Sequence, residues 1–447
     1  MWFLVPFSRR LLSAFALIVL AAFTCPALEL VKPDLSGPLT LARAKQIARQ
    51  GNPGVAASAA RVDAALATIR DAAAAYYPRV NISAMISHTE DVPSATGGGS
   101  TSRNYGLNST LSYLVFDGHA RKFRVLAAKA SAEGAREAHR EAQRFLLQSV
   151  AAAYYECLLG RESMLVAKRD ADFNRKLSEE TQKRLEAGAA ARSDVLNFEI
   201  RTTAAESRHV LAAFEYRIAR IILAQLMGLP RETAPDRLEP VPLAPPNGEL
   251  HIPVLTDELD YALAHRPDHL QLDERINQLK ANLATVRSGY LPTVGVAGGY
   301  GWSRDSNPRF NSSRDASSYV GVELSWDVFT GGSTKAQMAQ LSAQIRAAQH
   351  SVTLSRLAII GELRRLIEGA TVAKTQVELQ TKINNMTEEA RKLVRNEYVA
   401  GRASLTRLNE AQTDLVRAAG DLVKARIRYW QILEDVAAAS AKNLIGK

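Results

Sequence analysis

Cysteine is almost missing from this 447-residue chain, which has two, Cys25 and Cys157. If the N-terminal segment holding Cys25 is removed, Cys157 stands alone. No intrachain disulfide can then form, even in an oxidising compartment. Aromatic residues are only 6% of the chain, too few for one large aromatic core and better suited to alanine-rich helices packed closely along their length. Past the N-terminus no apolar run reaches the ~18 residues a spanning helix needs, so any further membrane crossing has to be made by β-strands. The formal charge is +10. No Lys/Arg-dense run with interleaved aromatics accompanies it, which argues against nucleic acid as a partner. Catalytic patterns are missing too, since no Ser/His/Asp or Cys/His arrangement stands out. Gly97-Gly98-Gly99 lacks the Gly-Lys-Ser/Thr ending of a phosphate loop. His265 and His269 are four apart but straddle Pro267, and no nearby carboxylate constellation completes a zinc site. Neither an enzyme nor a bound cofactor or metal is expected.

The long apolar run that does exist is Leu11 to Thr24, preceded by Arg9 and Arg10 and followed by Cys25-Pro26-Ala27. This is the pattern of an export signal, too short for an ordinary spanning helix. Cleavage after Ala27 is the leading reading. Lipidation of Cys25, through the poor lipobox Ala22-Phe23-Thr24-Cys25, and an uncleaved anchor stay open beside it.

Proline is absent from two long stretches, Gly118 to Gly188 and Gly332 to Gly401. Both are rich in Ala, Leu, Glu, Arg, Lys and Gln, the strongest helix formers. As single helices of about 70 residues, each would span roughly 105 Å. The two stretches belong to a duplication. Pro53 and Pro267, and Pro78 and Pro292, are 214 apart; Phe116 and Phe329, Gly118 and Gly331, and Gly188 and Gly401 are 213 apart. The sequence therefore divides into a signal (1–27), a first repeat (28–230), a Pro-rich connector (231–254), a second repeat (255–440) and a short tail (441–447). Each repeat reads as a helix interrupted just before a proline, then two strands, a long helix, a glycine turn and a return helix. The strands are expected at 80–89 and 105–115, and at 293–302 and 318–328. The long helices are expected at 118–188 and 332–400, and the return helices at 193–227 and 404–440, with Ser193 or Asp194 as a cap for the first. By length, the return helix from Ser193 would stack end to end with the helix from Asp268 to Tyr290, and the one from Ser404 with Pro53 to Tyr77.

The strands alternate. Val80, Ile82, Ala84 and Ile86 share one face, as do Val294, Val296, Tyr300 and Trp302. Strands of about 10 residues can cross a hydrocarbon core when tilted. Aromatic residues near their ends (Tyr105, Tyr113, Trp302, Trp326) match the pattern of outer-membrane barrel strands. Glu323 and Asp327 fall on the other face and are expected in the lumen. Four strands cannot close a barrel, and an open edge is not tolerated in lipid. Three chains would give twelve strands and a water-filled lumen. The fold class is thus mainly α with a β-barrel contribution: duplicated long-helix hairpins forming an α-helical barrel, with four transmembrane β-strands per chain.

At this point the sequence resembles the TolC family of outer-membrane channel proteins over the whole mature chain. The resemblance is carried by the Tyr77-Pro78 and Leu291-Pro292 strand starts, by Val115-Phe116-Asp117-Gly118 and Val328-Phe329-Thr330-Gly331-Gly332, and by the tips. The tips are Arg184-Leu185-Glu186-Ala187-Gly188 with Ser193-Asp194-Val195-Leu196, and Glu397-Tyr398-Val399-Ala400-Gly401 with Ser404 to Glu410. It implies a homotrimer in the outer membrane that extends into the periplasm. Its helical tunnel would dock, through tip residues such as Arg184, Leu185, Gly188, Ser193, Gly401 and Ser404, on a periplasmic adaptor (membrane fusion) protein and an inner-membrane pump or ABC transporter. It also implies a gate in which a Tyr and an Arg of the second hairpin hold an Asp of the first. Tyr398 and Asp194 match two of these positions. The usual Arg position is Ala403, with Arg402 one residue early. Acidic positions ringing the pore mouth are here Arg407 and Glu410. Arg407 can line the mouth or turn sideways into a salt bridge with a neighbouring helix. The rival to a passive exit duct is a periplasmic adaptor or coiled-coil scaffold whose hairpins never enter lipid.

Overall fold

The computed structural model describes residues 37–90, 101–229, 238–242, 250–305 and 315–445. The expected export segment and most of both polar loops and of the connector lie outside them. In the first repeat, α1 (Leu41–Gly51) and α2 (Pro53–Ala74) precede β1 (Arg79–Glu90), β2 (Thr101–Phe116), the long helix α3 (Ala120–Glu186) and its return α4 (Arg192–Leu226). The second repeat runs α5 (Leu255–His265), α6 (Pro267–Ser288), β3 (Thr293–Asp305), β4 (Ala316–Ser325), the long helix α7 (Ser333–Val399) and its return α8 (Leu405–Ala439). A short 3₁₀ turn, Lys442–Leu444, follows. Both long helices have 67 residues, and both return helices have 35.

The helix breaks before Pro53 and Pro267 organise the middle of the protein. Proline at the first helical position costs no hydrogen bond and presets the backbone. The residue before it is extended in both copies and is free to do something else. Asn52 caps α2, its Oδ1 accepting from Gly54 N at 2.8 Å, while its Nδ2 donates to Leu226 O at 2.9 Å. Arg266, at the equivalent place, donates through Nη1 to Ala439 O at 3.0 Å. Leu226 and Ala439 are the last residues of α4 and α8. Each return helix therefore ends at the break within its own repeat. Stacking between repeats, which helix lengths alone suggested, is not what forms, because the donors just before each proline take up that repeat's own orphan carbonyls. Arg144, buried on α3, caps the adjacent Ala438 O at 2.8 Å and is neutralised by Glu141 at 2.6 Å. The C-terminal end of α8 is thus held by one arginine from each repeat, the sign its dipole favours.

The cores repeat as well. Leu146, Val150, Tyr216 and Leu223 are buried with Leu39, Ile47, Leu238 and Met227 in the first. Their counterparts 213 residues on, Ile359, Leu363, Tyr429 and Val436, are buried in the second. Small residues let the helices approach closely: Gly160 of α3 lies against the backbone of Tyr216 on α4. Laterally, α4 packs on α3, α3 on α8, and α8 on α7. This leaves α4 and α7 at the two outer edges.

The four strands form one antiparallel sheet in chain order, with β2 against β3 joining the repeats. β4 stops at Ser325, three residues short of the expected end. Its last ladder partner is Thr293, and the residue before that is Pro292, which has no N–H to extend the ladder.

Candidate functional site

The register sorts the strand residues onto two faces. Val80, Ile82, Ala84 and Ile86 stand beside Leu111, Ser109, Leu107 and Tyr105. Those continue into Gly298, Tyr300, Trp302 and Arg304 on β3; on β4 Gly298 meets Val320, Tyr300 meets Ser318, and Val296 and Val294 of the same face meet Val322 and Leu324. This face is apolar through its middle. The opposite face carries Asn81, Ser83, Asn108, Thr110, Gly295, Ala297, Gly299 and Glu323. Glu323 thus lies on the polar face. Asp327 lies beyond the end of β4, exposed in the connection to α7, because the strand is shorter than its alternating pattern.

The junction of strand and long helix differs between the copies. In the first, a β-bulge at Val115 interrupts the β2–β3 ladder. The buried Arg121 guanidinium donates to the carbonyls of Leu114 (2.6 Å), Val115 (3.1 Å) and Ala75 (3.3 Å) and pairs with Asp117 at 3.2 Å. In the second, the equivalent pair is Thr330 and Thr334, hydroxyl to hydroxyl at 3.1 Å.

At the other end, both long helices close in the same way. Gly188 N donates to Leu185 O at 2.9 Å and Ala189 N to Arg184 O at 2.7 Å; Gly401 N donates to Tyr398 O at 3.0 Å and Arg402 N to Glu397 O at 2.7 Å. This is the paired cap in which the residue after the helix turns left-handed. Gly188 and Gly401 have φ of +73° and +72°, and nothing stands within 4 Å of an added Cβ at either. Glycine is needed there for the backbone conformation and not for space. The caps of the return helices differ. Ser404 caps α8, accepting from Arg407 N at 3.3 Å. In the first hairpin the cap position is Ala191, with no side-chain bond, and Ser193 and Asp194 lie inside the first turn of α4. The cap lies two or three residues before the serine and aspartate, so Asp194 sits inside the first turn of α4, where the helix dipole favours an acid.

The named tip residues are brought together only in part. Tyr398 is half-buried against the cluster of Leu177, Phe198, Val394 and Leu408. The cation over its ring is Arg184 of the first hairpin, at 5.5 Å. No hydrogen bond joins Tyr398 to Asp194 among the described residues. Arg402 and Glu410 are exposed. Arg407 pairs with Glu397 of α7 at 3.2 Å, which is the sideways arrangement. Leu185 is half-buried, and Ser193 is exposed. Above the tip, Arg391 and Arg395 of α7 lie over Phe173 of α3 at 5.7 and 6.0 Å, and Arg395 approaches Glu180 at 3.9 Å. These cross-hairpin partners were missed in the sequence. They are separated by more than 200 positions, and none belongs to a local pattern. The two histidines of the sequence reading have ordinary roles: His265 stacks on Tyr261, and His269 bonds Ser355 at 3.1 Å.

Two long helical hairpins below a sheet with one apolar face define a membrane exit duct rather than a soluble scaffold. Residues 45–229 and 259–442 match the family model described as outer membrane efflux protein, and the chain belongs to that family, the TolC family of outer-membrane channels. It is an outer-membrane protein that extends into the periplasm and serves as an exit duct, and the scaffold alternative is set aside. The alkaline protease secretion protein AprF of Pseudomonas aeruginosa is 25% identical over 66% of this chain and 60% of its own length, so the match spans under two thirds of that relative. Protein CyaE of Bordetella pertussis is 26% identical over 86% of this chain and 80% of its own. The crystal structure of the Campylobacter jejuni CmeC outer membrane channel superposes with a TM-score of 0.77 at 15% identity, over 91% of this chain and 88% of that one.

Proposed function

We propose that three copies of this chain close into a ring, twelve strands in the outer membrane above a continuous helical tunnel, and that substrate passes through it without chemistry. One observation carries the reading: the protomer ends on both sides in unfinished edges. Among the described residues, β1 and β4 each have one unpaired side, which lipid does not tolerate. The helices at the same two flanks show exposed seams at alternating spacings of three and four. On α4 the seam is Ile200, Ala204, Ser207, Leu211, Phe214, Ile218 and Ile221; on α7 it is Val372, Gln376, Leu379, Ile383, Met386, Ala390 and Leu393. That spacing is the one by which helices pack side by side. The two seams lie on different elements, so the contact is head-to-tail, and a head-to-tail contact that closes makes a ring.

The tips are the gate and the docking end. Arg184 over the Tyr398 ring holds one hairpin to the other, Asp194 stands in the first turn of α4, and Arg402 and Glu410 are exposed at the opening, while Arg407 turns sideways to Glu397. Gly188, Ser193, Gly401 and Ser404 shape the turns that a periplasmic adaptor would grip, with an inner-membrane pump or ABC transporter supplying energy and choosing the substrate. Glu323 faces the aqueous lumen.

The test is fractionation of the full-length protein from a Gram-negative host, with mass determination of the outer-membrane fraction in mild detergent. A trimer there is expected. A monomer or dimer in that fraction sinks the ring. In bilayers, Tyr398→Ala should raise conductance by freeing the tips; a channel that stays as closed as the parent would remove Tyr398 from the gate.

A further inference from the structure

Well above the tips, one buried carboxylate ties three helices together. Asp170 lies on α3, 18 residues before Gly188 and so roughly 27 Å from the turn. It is 5% exposed. Its Oδ1 accepts from Gln412 Nε2 on α8 at 3.0 Å and from Asn174 Nδ2 at 3.1 Å; its Oδ2 accepts from Arg208 Nη2 on α4 at 3.0 Å. Among the described residues, the Gln412 bond is the last hydrogen bond joining the two hairpins before the tips. Below it they meet through the apolar cluster and the cation–ring contacts, with one long ion pair. A cavity of about 490 Å³ opens beside the carboxylate between α4 and α8, lined also by Arg201, Ser207, Asn409 and Thr413. The two return helices are therefore bridged at this level by side chains rather than by direct packing.

The feature is not a by-product of the hairpin. At the position 213 residues on, the second long helix has Ile383, which is exposed. A buried carboxylate is inexpensive only while its donors are in place. Moving the second hairpin away from the first would take Gln412 with it and leave Oδ1 short of a partner.

We infer that Asp170 is a positioning residue of the duct. By accepting from Gln412 it holds the second hairpin against the first and sets the closed arrangement of the tips. This inference rests on the duct reading, and its test separates the two. Single-channel conductance of the full-length protein would be compared with Gln412→Glu and Gln412→Met. Gln412→Glu sets two carboxylates face to face, and the charged groups that face them are Arg208 and Arg201 from α4, with no titratable group of α8 lining the cavity. The open fraction should rise about tenfold or more at neutral pH, the scale set by one hydrogen bond to a charged group. It should fall back on acidification into the carboxylate range, where the shared proton restores a donor. Gln412→Met, which keeps the volume, should show a smaller rise with no such reversal. A parent protein that conducts while Gln412→Glu, equally helical and equally assembled, stays at the parent level overturns the latch and leaves the duct standing. A rise that acid does not reverse also overturns it, because it would report only damaged packing. A parent protein that forms no pore at any voltage overturns the duct reading and the latch together.

Discussion

The Asp117–Arg121 clamp offers a test supplied by the protein's own second repeat. Arg121→Thr removes a guanidinium whose side chain is 7% exposed and leaves Asp117, 8% exposed, without its cation. It also strips a donor from the carbonyls of Leu114, Val115 and Ala75. Breaking a buried pair from one side costs about 3–5 kcal/mol, because the other charge stays buried and unmatched. Asp117 keeps the backbone N–H of Arg121 at 2.8 Å, which places the expected loss toward the lower end, about 3 kcal/mol. Asp117→Thr alone should cost less, since the guanidinium keeps its three carbonyls. The double change Asp117→Thr with Arg121→Thr copies the Thr330–Thr334 arrangement and leaves no buried charge. It should be less destabilising than the sum of the singles by about 1–3 kcal/mol, the coupling expected of groups in direct contact. The measurement is guanidinium unfolding in detergent, followed by far-UV circular dichroism, for the parent and three variants. Additivity within about 0.5 kcal/mol would refute the clamp and reduce Arg121 to a cation that any solvent-facing residue could replace.

Three further outcomes are expected. Gly160→Ala places a methyl 3.0 Å from Tyr216 Cα and should lower stability by about 1–3 kcal/mol as an overpacked helix crossing; an unchanged unfolding curve would show that α3 and α4 can slide apart freely. Ser404→Ala removes a cap that bonds Arg407 N and should cost about 0.5–2 kcal/mol, whereas Ser193→Ala should be neutral, and equal losses in both would contradict the cap assignment. Burial pushes the Cys157 thiol up to about 12. Folding thus favours the protonated thiol, a contribution that is whole below the unfolded thiol's range near ~8.5 and lost as pH rises from there through about 12. In a Cys25→Ala background, maleimide labelling at mild alkaline pH should follow unfolding and be immediate in denaturant; fast labelling of the folded protein would place the thiol at the surface.

Much of the fold was legible because its determinants are local or periodic. The broken helices could be placed from Asn52-Pro53 and Arg266-Pro267, since proline allows few backbone options. The long helices could be placed from composition, and the two strand faces from alternation. What stayed hidden depends on residues far apart in the chain. Nothing near Arg184 signals that it will cover Tyr398, because a cation over a ring has no sequence spacing. Asp170 sits in the charged run Lys168-Arg169-Asp170, whose sequence is that of a solvated helix face, and only the approach of Gln412 and Arg208 makes it a buried hub. The end of β4 is not legible from the pattern because alternation continues through Asp327 while the ladder stops opposite Thr293.

The β2–β3 pairing has a consequence for how the protein is made. β1 and β2 are neighbours in the chain and can zip as soon as both exist. β2 pairs with a strand such that Leu111 meets Gly298, with α3, α4, the connector, α5 and α6 between them in synthesis order. Long-range pairing of this kind is slow, since its loop has to close before any contact rewards it. A chain emerging N-terminus first therefore presents a half-built, apolar-faced hairpin to the periplasm while the first helical hairpin is already complete. The interval between the two is the stage at which escorting factors have the most to do and at which truncated chains are most prone to aggregate.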